Sequence, residues 1–414
     1  MSENFFKCNR KRLGEKLEDR SAVVLFSGQP PKKSADEDYA FTTNRHFYYM
    51  CGVKEPHIML MMVKEEEDKV KSTLFIKKAD PFMEKWVGKT ISKEDALTVS
   101  AVDEVKYVGD FEGTLHYILS RQVVHHLYLD FELEGFNAPL TKAQVFANKC
   151  KERYPFIQIQ NVHHLISSLR VIKAPYEVDK LKEAIKVTDE GIKALMKNAK
   201  SGIMEYALEA HFDFVLKCNG IKDFAFKTIA ASGVNGTILH YSSNDSIIPE
   251  NSLVLFDLGA QYDYYNADIT RTIPADGKFT ERQKTFYNIV LKANKEVIKA
   301  IKPGVPFTRL NEIVREIYLE ELKGLGLVET MEDVSKYYYH GVSHFLGLDT
   351  HDVGDRGMIL EPGMVLTVEP GLYIEDEEIG IRIEDDVLVT QDGCEVLSKD
   401  IIKTVEDIEA YMQS

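Results

Sequence analysis

The sequence predicts two domains, an α/β N-terminal domain over residues 1–170 and an α+β C-terminal domain over residues 171–414. Three observations carry this. A chain of 414 residues exceeds what one hydrophobic core usually organises. Up to about residue 165, short apolar runs alternate with helical stretches, the pattern of an α/β layer. Beyond residue 250 helices and apolar strands also take turns, but the last part of the chain is strand-rich.

Ala22–Phe26, Ile58–Val63 and Leu74–Ile76 read as buried strands, and Val124–Leu129 as another, followed by a helix through Ala143 to Cys150. Pro175 suits the first turn of a helix, where its missing N–H is not needed. Leu181, Ile185, Thr188, Ile192 and Leu195 then mark one helical face, so the domain boundary is placed near Arg170. Leu253–Phe256 reads as a strand. Phe286, Ile289, Val290, Ala293 and Val297 line a helix that ends at Pro303-Gly304, and Leu310, Ile313, Val314 and Ile317 begin the next. Met364–Val368, Ile379–Ile383 and Val387–Val389 read as strands.

Composition narrows the function classes. A content of 44% apolar and 28% charged residues is that of a soluble globular protein. The net charge of −15 argues against nucleic acid as a partner, because phosphate binding needs clustered Lys and Arg. No apolar run reaches the roughly 20 residues of a membrane helix. The charged N-terminus lacks the apolar centre of a signal peptide, and the five cysteines are scattered, so a reducing, cytoplasmic setting is expected.

Three segments gather chemistry. In VLFDLGAQYDYYNADITRT, Asp257 follows four apolar residues, an awkward place for a carboxylate without a cationic partner. A hairpin would bring Asp257 and Asp268 face to face, although two aspartates flanking a solvated turn fit the pattern equally well. HGVSHFLGLDTHD holds His340, His344 and His351, three of the chain's twelve histidines, among glycines. Imidazole serves there as a metal ligand or to polarise a carbonyl. In VLTVEPGLYIEDEEIGIRIEDDV, Glu369 and Glu384 each end an apolar strand. Alternation puts Arg382 and Glu384 on one strand face. Asp385 and Asp386 read as solvated turn acids. Four carboxylates and one imidazole suit Mn²⁺, Co²⁺ or Zn²⁺ better than a thiolate-loving ion. Two such ions sharing carboxylates can hold a hydroxide and polarise a carbonyl, which points to amide or ester hydrolysis. A serine mechanism is excluded, since Ser343 lacks a G-x-S-x-G elbow.

The segments ILHYSSND, LFDLGAQYDYYNADITRT, HGVSHFLGLDTHDVG, LEPGMVLTVEPGLYI and IGIRIEDDVLVT together resemble the pita-bread metallopeptidases. CNRKRLGEKL, YAFTTNRHFYYMCGVKEP and DPFMEKWVGKTI resemble the N-terminal domain found within that group in aminopeptidase P. The resemblance spans nearly the whole chain and implies a pita-bread catalytic domain. It implies metal-dependent hydrolysis of an N-terminal Xaa-Pro bond, with prolidase, which cleaves Xaa-Pro dipeptides, as the alternative. Asp257, Asp268, His344, Glu369 and Glu384 would bind two divalent ions, Mn²⁺ before Co²⁺ or Zn²⁺. Glu369 would also take a proton from the attacking water, and His240, His340 and His351 would hold substrate and stabilise the tetrahedral intermediate. Tyr373 and Arg382 match supporting positions around the proline pocket. Trp86, the only tryptophan, matches a position that reaches a neighbouring subunit's site in relatives, or else is an ordinary core aromatic. Phe345 and Thr350 depart from residues common in relatives without touching the ligand set. A homodimer or homotetramer acting on proline-containing peptides is the expectation.

Overall fold

The computed structural model describes residues 4–66, 69–132 and 135–414. It divides into two compact units, Met1–Arg170 and Val171–Ser414.

The N-terminal unit is built on a six-stranded mixed sheet. Its spatial order is Glu104–Tyr107, Val70–Ile76, Met59–Lys64, Ser21–Phe26, His126–Leu129 and Gln158–Asn161. The Ser21–Phe26 strand runs antiparallel to Met59–Lys64, with Val24 opposite Met61, and parallel to His126–Leu129. Successive residues Ala22, Val23, Val24 and Leu25 are all buried, so helices cover both faces of the sheet and the strand reads as a continuous apolar run. Ala22, Val24, Met61 and Phe75 pack with Phe111, Leu115 and Ala147 of two of those helices. Each fully buried side chain of this size contributes roughly 1.5–3 kcal/mol. The predicted strands are all present. Two short ones, Glu104–Tyr107 and Gln158–Asn161, carry too few apolar residues to have been legible.

The C-terminal unit opens with the helix Pro175–Asn198, which has proline in its first turn as expected. A second long helix, Glu281–Ala300, starts with a capping box between Thr280 and Gln283. One three-stranded sheet has Leu253–Leu258 between Ile229–Ser232 and Ile269–Pro274, all antiparallel. Another has Asp385–Val389 between Val365–Val368 and Cys394–Val396, and Gly371–Ile374 forms a hairpin with Ile379–Arg382.

Asp385 and Asp386 correct the sequence expectation. They are not solvated turn acids but fully buried residues opening the Asp385–Val389 strand. Arg271, Lys403 and Ser398 surround Asp385, and all three come from elsewhere in the chain. Trp86 is also no core aromatic, being 74% exposed on the short helix Glu84–Val87. All five cysteines are free thiols. Among the described residues no helix is long and apolar enough to cross a membrane.

Candidate active site

Each acidic residue of the site sits at or just beyond a strand end, where a side chain can leave the packed core. Asp257 lies near the end of Leu253–Leu258, and Asp268 immediately precedes the antiparallel Ile269–Pro274 strand. Pairing of Leu258 with Ile269 closes the hairpin that brings these two aspartates together. Glu369 follows Val365–Val368, and Glu384 lies between Ile379–Arg382 and Asp385–Val389. His344 comes from the glycine-rich segment alongside, its Nε2 3.3 Å from Asp268 Oδ2 and 3.7 Å from Glu369 Oε1.

These residues border one cavity of about 720 Å³, together with His240, His340, His351, Arg382 and the apolar side chains Phe226, Leu239, Phe307 and Phe345. The structure therefore brings together the five carboxylate and imidazole candidates, the three other histidines and Arg382. Tyr373 stands behind the wall, buried, where its hydroxyl accepts from Arg382 Nη1 at 3.0 Å and lies 2.9 Å from His340 Nε2. Trp86 belongs to the N-terminal unit and is not part of this group.

Hydrogen bonds fix the imidazole tautomers. His344 Nδ1 faces the Phe345 carbonyl at 3.0 Å, and a carbonyl only accepts, so the proton sits on Nδ1. Its Nε2 lone pair is left pointing at the carboxylates, the form in which a histidine ligates a metal. His340 Nδ1 likewise meets the Gly341 carbonyl at 2.8 Å, which makes its Nε2 the acceptor for the Tyr373 hydroxyl. Burial, then the nearby Arg382 charge, push the His340 pKa down to about 4, so the ring is neutral at physiological pH. His351 packs edge-on against His344 with ring centroids 4.4 Å apart, and burial lowers its pKa too.

The carboxylates are crowded beyond what the chain compensates. Burial, and then repulsion from Asp257, raise Asp268 well above the usual range. Glu384 is raised by burial and then by Asp268, and burial pushes Glu369 up to about 7. The Arg382 guanidinium stands in the cluster, with Nη2 2.6 Å from Asp257 Oδ2. Asp257 Oδ1 is buried without a hydrogen-bond donor. A buried acceptor without a donor costs about 1–3 kcal/mol. Asp268, His344 and Glu384 each present a ligand atom within 4.8 Å of the others. An under-neutralised, mixed oxygen and nitrogen donor set of this kind fits borderline divalent cations.

Supporting residues escaped the sequence reading. Thr270 Oγ1 accepts from Arg382 Nε at 3.0 Å and donates to Glu384 Oε2 at 2.7 Å, tying the guanidinium to the carboxylate. The amide of Asp268 donates to Asp386 Oδ2 at 3.2 Å. Fully buried Glu205 accepts from Ser232 Oγ, Asn235 Nδ2 and Tyr241 OH, anchoring the loop that carries His240. A threonine facing the site on the strand after Asp268 was the only one of these signals visible in sequence.

Comparison with known proteins decides the family. The model of metallopeptidase family M24 matches residues 179–391, and the aminopeptidase P N-terminal domain matches residues 6–128. The chain belongs to metallopeptidase family M24. It is 33% identical to the Xaa-Pro aminopeptidase of Escherichia coli across 100% of this chain and 98% of that protein. A human Xaa-Pro dipeptidase is 32% identical over 98% of this chain and 93% of its own length. A solved structure from Bacillus anthracis, assigned as an aminopeptidase P, superposes with a TM-score of 0.97 at 54% identity, covering 99% of this chain and 98% of that one. The M24 chain thus has the N-terminal domain and catalytic domain expected from its sequence.

Proposed function

We infer that this M24 chain is an Xaa-Pro aminopeptidase, with residues 1–170 forming its aminopeptidase P-type domain and 171–414 its catalytic domain. The carrying observation is the convergence of Asp257, Asp268, His344, Glu369 and Glu384 on one cavity that Phe226, Leu239, Phe307 and Phe345 also line. Asp257, Asp268 and Glu384 would hold one divalent ion, and Asp268, His344, Glu369 and Glu384 a second, with Mn²⁺ first in order of preference. Such ions would activate the attacking water and polarise the scissile carbonyl.

The chain's own residues do the rest. A free Glu369 carboxylate oxygen receives the water proton as attack begins and can return it to the departing nitrogen. Arg382 neutralises Asp257 and, through Thr270, orients Glu384. His240 and His351 border the cavity and can donate to the carbonyl oxygen as it gains charge. His340 borders the same cavity as a substrate-holding residue, and Tyr373, bonded to its Nε2 and to Arg382, acts as a positioning residue between the two.

Proline is the fitting second residue. Its ring has no N–H to donate, and Phe226, Leu239, Phe307 and Phe345 offer an apolar wall. Phe307 and Phe345 stack with centroids 5.1 Å apart, which gives that wall a flat face. The five free thiols support a cytoplasmic location. Exposed Phe82, Trp86 and Val87 support self-association as a homodimer or homotetramer, since such side chains on one short segment mark contact surfaces.

The test is hydrolysis of Ala-Pro, Ala-Pro-Ala and Ala-Ala-Ala after metal stripping and after Mn²⁺ is restored. Cleavage of Ala-Pro-Ala alone among the tripeptides, only with metal, is the expected result. Cleavage confined to Ala-Pro would make the chain a dipeptidase.

A further inference from the structure

We propose that the N-terminal unit carries a separate, mononuclear divalent-cation site formed by His46, Asp130 and His163. The three residues come from three elements. His46 lies in the first turn of the helix Arg45–Cys51, Asp130 directly follows the strand His126–Leu129, and His163 opens the helix His163–Arg170.

The geometry is that of a ligand set. The two imidazoles turn the same nitrogen, Nδ1, toward different oxygens of one carboxylate, at 3.2 Å for His46 and 3.0 Å for His163. The ring centroids lie 4.7 Å apart, and one ligand atom from each residue falls within 4.8 Å of the others. A tetrahedral ion with bonds of roughly 2.0–2.2 Å needs neighbouring ligands roughly 3.3 Å apart. His344 and Asp268 in the catalytic cluster show the same spacing, 3.3 Å.

Two further observations meet the needs of a cation site. If His46 gives its Nδ1 lone pair to an ion, its proton must sit on Nε2, and Ser167 Oγ stands 3.4 Å from Nε2 to accept it. Such an outer partner accompanies almost every ligating histidine. The set also keeps an open side, because Asp130, with Asn44, lines a cavity of about 990 Å³ in the same unit. Water or a small anion can supply the fourth ligand from there. Two imidazoles and one carboxylate suit Zn²⁺ or Co²⁺ better than Ca²⁺ or Mg²⁺, which take all-oxygen sets. A bound ion would pin a strand end to two helix starts, so its role is to brace the N-terminal unit.

The experiment uses the full chain, loaded with Zn²⁺, freed of excess ion by gel filtration and analysed for zinc per chain. The unmodified protein should hold one more ion than His163→Ala, while hydrolysis of Ala-Pro-Ala is unchanged. Zinc affinity at this site should fall by more than roughly 100-fold. Asp130→Asn, which keeps the shape and removes the charge, should lose the same ion and serves if His163→Ala does not fold. Equal zinc content in the unmodified chain and in a folded variant overturns the proposal and leaves a His–Asp–His hydrogen-bonded brace. Neither variant touches the catalytic cluster, so that outcome leaves the peptidase reading intact.

Discussion

Glu384 and Asp385 are neighbours in sequence, both buried, and solve the problem of a buried carboxylate in opposite ways. Asp385 accepts from Arg271 Nη2 at 2.9 Å, Ser398 Oγ at 2.8 Å and Lys403 Nζ at 2.6 Å. Those cations outweigh burial and hold its pKa down, to about 2. Glu384 receives one side-chain donor, Thr270, and burial lifts it well above the usual range. The chain completes the first charge with its own side chains. Around the second it gathers Asp257, Asp268 and Glu369, with Arg382 as the compensating cation. A deficit of positive charge kept beside a balanced cluster marks where the protein expects cations from solution.

Substitutions can break this contrast. Glu369→Gln should lower kcat on Ala-Pro-Ala by roughly 10²–10⁴-fold. Because it removes one of four crowded carboxylates, the melting temperature of the metal-stripped chain should not fall. An active Glu369→Gln enzyme would remove Glu369 from the proton-transfer role. Asp385→Ala should do the reverse and destabilise the fold. It strands Arg271, which is fully buried, and should cost about 3–5 kcal/mol in denaturant unfolding. A cost below about 1 kcal/mol would show that Asp385 is not the balancing charge.

Glu177 gives an intermediate case. It is buried and accepts from the Ala174 amide and the Tyr265 hydroxyl, yet burial still pushes it up to about 7. A carboxyl whose folded pKa is raised favours the fold while protonated. Its contribution is therefore complete below the unfolded value near 4.5 and lost as pH rises through 7. That shift corresponds to roughly 3 kcal/mol between pH 4 and pH 8. Glu177→Gln should flatten this part of the stability–pH curve, measured by urea unfolding across that range. An unchanged slope would mean that the two donors, with the nearby Lys173 ammonium that favours the charged form, already neutralise the carboxylate.

What the sequence could reveal follows from the range of each signal. Strands such as Leu253–Leu258 announced themselves through local apolar runs, and the carboxylates of the cluster through their position at the ends of such runs. Asp385 and Asp386 were misread because each meets a partner distant in sequence: Arg271 is 114 residues from Asp385 and Asp268 is 118 from Asp386, and no local pattern reports either. Trp86 was open to a core reading because aromatic residues are usually buried, and only tertiary structure shows its exposure. His46, Asp130 and His163 went unnoticed for the same reason as Asp385: their spacing along the chain carries no motif, and they meet only when a strand end and two helix starts converge.

The contact between Gly236 and Gly380 has a consequence for how this enzyme can change. Gly236 precedes the loop bearing His240, and Gly380 lies on the strand that ends at Arg382. A Cβ on Gly380 would lie 1.9 Å from the Gly236 carbonyl oxygen, whereas one on Gly236 would meet Gly380 only at 3.6 Å. The crossing is thus permissive from one side and closed from the other. A side chain can be added at position 236 without displacing its neighbours, but at position 380 every replacement forces the backbones carrying His240 and Arg382 apart, so the spacing of the two halves of the site hangs on one missing methyl group.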